Sequence, residues 1–148
     1  MLLWQNGDLT LRGPDGYGVP QTQEPITVGA DGSLAPASAR VLYLVHGELH
    51  RPKFGRGPTF RVTPAKPGEF VVRVNSVTTA GAILTIDLDG KEVLRRPLPG
   101  RDGQGAPNAG EYAEDITIPL PPGEHTVRVD NLGGDWMSVD RYVFRGLR

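Results

Sequence analysis

Ile83-Leu84-Thr85-Ile86-Asp87-Leu88-Asp89-Gly90-Lys91-Glu92-Val93-Leu94 is the stretch that decides the fold. Its first half is rich in β-formers, an Asp-Gly pair follows, and a second run begins at once. Asp-Gly supplies the positive φ that a tight hairpin turn requires. The segment reads as two antiparallel strands joined by a two-residue turn.

The same pattern recurs along the chain. Turn signals stand at Asn6-Gly7, Asp15-Gly16, Asp31-Gly32, Pro99-Gly100, Asp102-Gly103 and Pro122-Gly123. Between them lie short β-forming runs: Arg40 to Leu44, Thr59 to Thr63, Glu69 to Asn75, Asp115 to Leu120, Glu124 to Asp130 and Val139 to Phe144. No segment of helical length keeps an i, i+3, i+4, i+7 apolar pattern without a Gly or Pro break. Eight or more short strands at this spacing indicate a sandwich or a barrel. The expected fold is all-β, a jelly-roll-like antiparallel β-sandwich spanning residues 26–148. Residues 1–25 are poorer in apolar side chains and read as an N-terminal linker or extension. Leu98 to Gly110 reads as one long loop. Tyr43, Phe60, Phe70, Tyr142 and Phe144 sit in strand patterns and are expected in the core.

Composition narrows the function. The chain has 148 residues, enough for one domain with a sizeable core. It has no cysteine, which excludes disulfides, thiolate metal sites and cysteine nucleophiles. The formal charge is −1, with 13 Arg and 3 Lys, and no basic stripe points to nucleic acid. Glycine (20) and proline (14) mark many tight turns rather than disorder, because Val and Ile runs separate them. No apolar run approaches the ~18 residues of a membrane span, so no membrane partner is expected. Met1 to Gly7 lacks the basic and apolar regions of a signal peptide. The expected setting is extracellular, with any export signal outside this chain.

Catalytic signatures are sparse. There is no GxSxG elbow. His46 and His50 are four apart, as in helical zinc motifs, but Gly47 follows a strand and a turn with two histidines is the stronger reading. His125 is expected on the exposed face of a strand. Asp87-Leu88-Asp89-Gly90 lacks the ligands of a calcium loop. Glu111, Glu114 and Asp115 are sequence neighbours, whereas glycosidase carboxylates face each other across a cleft. The informative stretch is Asp130-Asn131-Leu132-Gly133-Gly134-Asp135-Trp136. A Trp at a glycine-rich corner is either a core plug or a platform on which the C–H face of a sugar stacks.

Three groups of residues carry a family likeness. They are Val41 to His50, Gly57 to Val62 with Gly68 to Val74, and Ala82 to Val93 with its Asp-Gly hairpin. Pro121 to Asn131, Gly134-Asp135-Trp136 and Val139 to Phe144 complete the pattern. Together, over Ile26 to Arg148, this resembles the C-terminal β-sandwich that follows the catalytic barrel in some family-5 glycoside hydrolases. More loosely, it is similar to jelly-roll carbohydrate-binding modules. Some relatives carry Trp where this chain has Leu49. The resemblance implies no catalytic residue, since the carboxylates of such enzymes belong to the barrel.

The function expected is a non-catalytic carbohydrate-binding module of a polysaccharide-degrading enzyme, whose partners are a polysaccharide and the parent's glycoside hydrolase domain. Candidate stacking residues are Trp4, Tyr17, Phe54, Tyr112 and Trp136. Candidate polar partners are His50, Arg51, Arg56, Asn108, Asn131 and Asp135. No cofactor is required, and a structural Ca2+ held by Asp140 with Asp115 or Glu24 is a side hypothesis. The alternative is an accessory sandwich that packs on a catalytic barrel without binding sugar, through an apolar patch around Leu49, Pro52 and Phe54.

Overall fold

The computed structural model describes residues 2–5 (backbone), 8–13, 20–101 and 110–148. The strands among them are β1 (Leu2–Gln5), β2 (Asp8–Leu11), β3 (Ile26–Val28), β4 (Leu34–Ala35), β5 (Leu44–Val45) and β6 (Thr59–Val62). They continue as β7 (Gly68–Val77), β8 (Ala82–Leu88), β9 (Lys91–Leu98), β10 (Glu114–Leu120), β11 (His125–Asn131) and β12 (Met137–Arg145). A 3-10 turn (Glu48–His50) runs into one short helix, α1 (Arg51–Phe54).

Two six-stranded sheets form. The first has the order β1-β2-β12-β7-β10, with β5 added on β12, and the second β4-β3-β6-β11-β8-β9. Successive strands from β9 to β12 alternate between the sheets, as a jelly-roll-like sandwich demands. All pairs are antiparallel except β3 with β6, which is parallel. The deciding hairpin forms as expected: β8 pairs β9 across Asp89 (φ 53°) and Gly90 (φ 83°).

Alternation puts one set of side chains inward. From the second sheet come Phe60, Val62, Leu84, Ile86, Val127 and Val129, and from the first Phe70, Val72, Ile116, Ile118, Tyr142 and Phe144. Phe60 joins the sheets, its ring 6.0 Å from Phe70, 5.3 Å from Tyr142 and 5.2 Å from Phe144, mostly edge-on. Such pairs add about 0.5–1.5 kcal/mol each beyond area burial. Tyr43 is half-buried and stands outside this cluster.

The reading of residues 1–25 as an extension is corrected. β1 and β2 pair with each other, and β2 pairs with β12 through Leu11↔Tyr142 to Leu9↔Phe144. Leu9 and Leu11 are core residues. A four-residue strand offers only two apolar positions, too few to show as a period. The run expected from Arg40 is paired only at Leu44–Val45.

The Tyr142 hydroxyl is enclosed by this apolar layer with no hydrogen-bond partner, and burial pushes its ionisation far above the usual tyrosine value. An unsatisfied buried hydroxyl costs about 1–3 kcal/mol. Tyr142→Phe is therefore expected to raise stability by about 1 kcal/mol, or about 2–4 °C in melting temperature. Thermal denaturation checks this, and a lowered melting temperature would show that the hydroxyl is bonded.

Candidate functional site

Gly47 is where the site begins. A Cβ there would collide with the backbone of Gly133 and Asp135, so only glycine lets the two segments touch. The contact is fixed by Glu48 N–H donating to the Gly133 carbonyl at 2.9 Å and Leu49 N–H to that of Gly134 at 3.1 Å. The chain then turns through Glu48–His50 into α1, where Pro52 suits the first turn because its missing N–H has no helical partner there. Gly55 ends the helix at φ 75°.

This fold-back brings His46, His50 and Phe54 together. The His46 ring stacks on Phe54 at 4.4 Å and lies edge-on to His50 at 5.6 Å. His46 is buried and neither ring nitrogen has a hydrogen-bond partner. Burial pushes its pKa below the usual 6.5, the neighbouring His50 pushes the same way, and Asp135 opposes them. His50 reaches outward, its Nε2 3.3 Å from Asp135 Oδ1, with 43% and 33% of the two side chains exposed. Among the described residues no group of three metal-ligating side chains is assembled.

The loop after β11 is bracketed by Asn131. Its Nδ2 donates to the Asp135 carbonyl at 2.6 Å and the Val45 carbonyl at 3.3 Å. Its Oδ1 accepts from Gly133 N–H at 2.9 Å and Ile83 N–H at 3.1 Å. Asp130, 4% exposed, lies between Arg51 (3.5 Å) and Arg56 (3.4 Å). Asp135 Oδ1 also accepts from the Trp136 N–H at 2.8 Å. Trp136 is half-buried, and its carbonyl accepts from Thr78 N–H at 3.3 Å.

On the other side of Leu132–Gly134 opens a groove of about 530 Å³, lined among others by Ala80, Ile83, Pro97, Pro99 and Leu132. Its walls are mainly apolar. Trp136 adjoins the turn that supplies Ala80.

Of the expected site residues, the structure gathers His50, Arg51, Phe54, Arg56, Asn131, Asp135 and Trp136 at this end of the sandwich. Three need correction. Phe54 is 8% exposed and serves as the floor under two histidines, not as a platform. Asn131 is 0% exposed, and both ends of its amide are occupied by the backbone. Tyr112 is 7% exposed, donates to the Pro99 carbonyl at 2.5 Å, and carries the Arg101 guanidinium 4.0 Å above its ring. Trp4 lies on β1, opposite Leu9. Tyr17 and Asn108 lie outside the described residues. Of the suggested metal ligands, Asp115 is paired with Arg73 at 2.9 Å, Asp140 with Arg141 at 3.5 Å, and Glu24 is exposed before β3. The expected site residues did not include Gly47 or Asp130; Leu49, expected in an apolar patch, is 73% exposed.

No family model matches the chain, and no curated protein matches it. Among solved structures it is similar to a family 35 carbohydrate binding module from an environmental isolate, at 13% identity and a TM-score of 0.47 over 60% of this chain and 65% of that one. It is also similar to the CBM36-1 domain of a multidomain xylanase from the hindgut metagenome of Trinervitermes trinervoides, at 9% identity and 0.45 over 92% and 94%. A third is a cycloisomaltooligosaccharide glucanotransferase from Paenibacillus sp., at 18% identity and 0.41 over 57% and 12%. The chain thus spans 65% of the family 35 module and 12% of the glucanotransferase. No residue role follows from these likenesses.

Because His46 is held neutral, it contributes a definite pH dependence. Its folded pKa is depressed, so the unfolded chain takes up a proton first as pH falls through about 6.5. Its share of stability is present above that value and lost below it. His46→Phe keeps the stack on Phe54 and removes two unpartnered nitrogens. The stability difference between variant and wild type is expected to be flat above pH 7. Below pH 6.5 it should grow in the variant's favour by up to about 1.4 kcal/mol per pH unit. Chemical denaturation from pH 5 to 8 checks this, and parallel curves would refute it.

Proposed function

We propose that this chain is a non-catalytic carbohydrate-binding module, carried by a polysaccharide-degrading glycoside hydrolase of the family-5 type and working outside the cell. One observation carries the reading. A single end of the sandwich holds half-exposed Trp136, the half-exposed His50–Asp135 pair and an open, mainly apolar groove beside them.

A pyranose presents alternating C–H faces and a hydroxyl rim. The C–H faces suit Trp136 and the Pro97–Pro99–Ile83 wall, and the hydroxyls suit a carboxylate, an imidazole and loop carbonyls. His50 and Asp135 offer both a donor and an acceptor to such hydroxyls. Tethering such a module to a catalytic domain raises the local enzyme concentration on an insoluble substrate.

The accessory-sandwich reading asks for an apolar patch at Leu49, Pro52 and Phe54. Phe54 points inward onto His46, which leaves Leu49 and Pro52 as a patch too small for a packed domain interface. No helix among the described residues is long and apolar enough to cross a membrane.

The test is retention of the purified chain on cellulose, mannan, xylan, mixed-linkage β-glucan and chitin by affinity electrophoresis and pull-down. Retention on one polymer is expected. Trp136→Ala and Asp135→Ala should each weaken it about tenfold, the equivalent of ~1.4 kcal/mol, with the fold intact by circular dichroism. No retention on any of the five would refute the reading.

A further inference from the structure

The outer face of the second sheet carries a feature that the glycan-binding end does not use. Arg128 on β11 stands opposite Thr59 on β6 and Asp87 on β8. Their sequence neighbours Phe60, Ile86, Val127 and Val129 fill the core, so alternation turns this row outward. Thr126 lies two residues before Arg128 on the same face. With Gly90 at the hairpin tip, these residues enclose a hollow of about 190 Å³.

Two facts mark it as more than a surface dimple. Oppositely charged side chains directly across two strands are close enough to pair, yet no ion pair forms between Arg128 and Asp87. The Arg128 Nε is buried and has no hydrogen-bond partner. A buried donor left unmatched is costly; that Nε is closed off behind the wall, while the rest of the partly buried Arg128 side chain lines the hollow on one side and Asp87 lines it on another.

The frame around it is stiff. Asp89 accepts from Thr126 N–H at 2.9 Å and contacts His125 Nδ1 at 2.7 Å, while Asp89 N–H donates to the Thr126 carbonyl at 2.8 Å. That clasp holds the β8–β9 turn against β11 and occupies Asp89, which leaves Asp87 as the acceptor. A Cβ built on Gly90 would meet nothing within 4 Å, so the mouth is open.

We propose that this hollow is a second binding site, specific for a neutral polyhydroxyl ligand the size of one sugar ring. A hydroxyl can accept from Arg128 and donate to Asp87 at once, and Thr59 and Thr126 serve either role. A vicinal diol therefore satisfies both walls together. An anion gains Arg128 but meets the Asp87 carboxylate, and a cation meets the reverse mismatch. The hollow lies at the Asp87 end of β8, whereas the groove lies at the Ile83 end. The two sites are therefore independent, and this one stands whether or not the first binds polymer.

The test is titration of the 15N-labelled chain with D-glucose, D-mannose, D-xylose and D-galactose at millimolar concentration, followed by amide shifts. At least one sugar should move the amides of Thr59, Asp87, Gly90, Thr126 and Arg128 along a saturating curve. Arg128→Met and Asp87→Asn should each weaken that curve tenfold or more, and Trp136→Ala should leave it unchanged. Where Arg128→Met fails to fold, Asp87→Asn and Thr126→Val decide. No response to any of the four sugars overturns the proposal. So does a response to D-glucuronate or inorganic phosphate alone, or a sugar response that survives Asp87→Asn. Loss of polymer retention in Trp136→Ala concerns the other site and leaves this result standing.

Discussion

The side chain of Asn131 is the tie on which the Trp136 end of the sandwich depends. It sits at the last residue of β11, closed to solvent, and its amide makes four hydrogen bonds. One reaches β5, one the start of β8, and two the loop that leads to Trp136. A backbone carbonyl or N–H buried in this corner without a partner would cost about 1–3 kcal/mol, and one planar amide answers four of them. Asparagine alone among the common side chains has two donors and an acceptor oxygen on so short a stem. Aspartate in its place would turn two donors into repulsive acceptors against Val45 and Asp135 carbonyls.

The neighbouring Asp130 solves a different problem. Its side chain is nearly closed off, so its charge is expensive to bury alone. The two guanidinium contacts at 3.4 and 3.5 Å are longer than the 2.7–2.9 Å of strong charge-assisted bonds. They offset desolvation more than they add stability. Their structural effect is positional: Arg51 opens α1 and Arg56 follows its end, so both contacts tie this helix to Asp130 on β11. The guanidinium groups of Arg51 and Arg56 are thereby engaged by Asp130, while His50 and Asp135 pair with each other at the surface.

Much of the architecture is legible in the residues because sheets write a period of two. The Asp89-Gly90 hairpin, the strands around Phe60, Phe70 and Ile118, and the buried Tyr142 and Phe144 follow from alternation and turn chemistry alone. The misses share a cause. Leu9 and Leu11 make too short a run to show a period, and Tyr43 sits at a strand that pairs for only two residues. For the site, composition located the corner but not the direction of each side chain. Phe54 and Asn131 look like ligands in the sequence because an aromatic and an amide suit sugars, and the same chemistry suits a ring stack and a backbone bracket. For Asn131 the use that wins depends on a contact with Val45, 86 residues away, which no local pattern encodes. Gly47 is the clue that was readable: a glycine directly after a strand, beside a histidine, marks a close backbone crossing.

The proposed binding function fits a corner that is held in place from several sides. Among the described residues, the lining of the groove (Ala80, Ala82, Ile83, Pro97, Pro99 and Leu132 with the glycines) carries no titratable side chain. Asp135, beside Trp136, already accepts from the Trp136 N–H and contacts His50. Those contacts hold it as a fixed acceptor. What the corner does provide is preorganisation. Gly47 fixes the crossing, Asn131 fixes the loop and the Arg pair fixes α1, so little conformational freedom remains to be lost when a ligand docks. Affinity built this way needs few contacts, which is consistent with a site whose outward groups amount to one indole, one imidazole, one carboxylate and a wall of proline and aliphatic carbon.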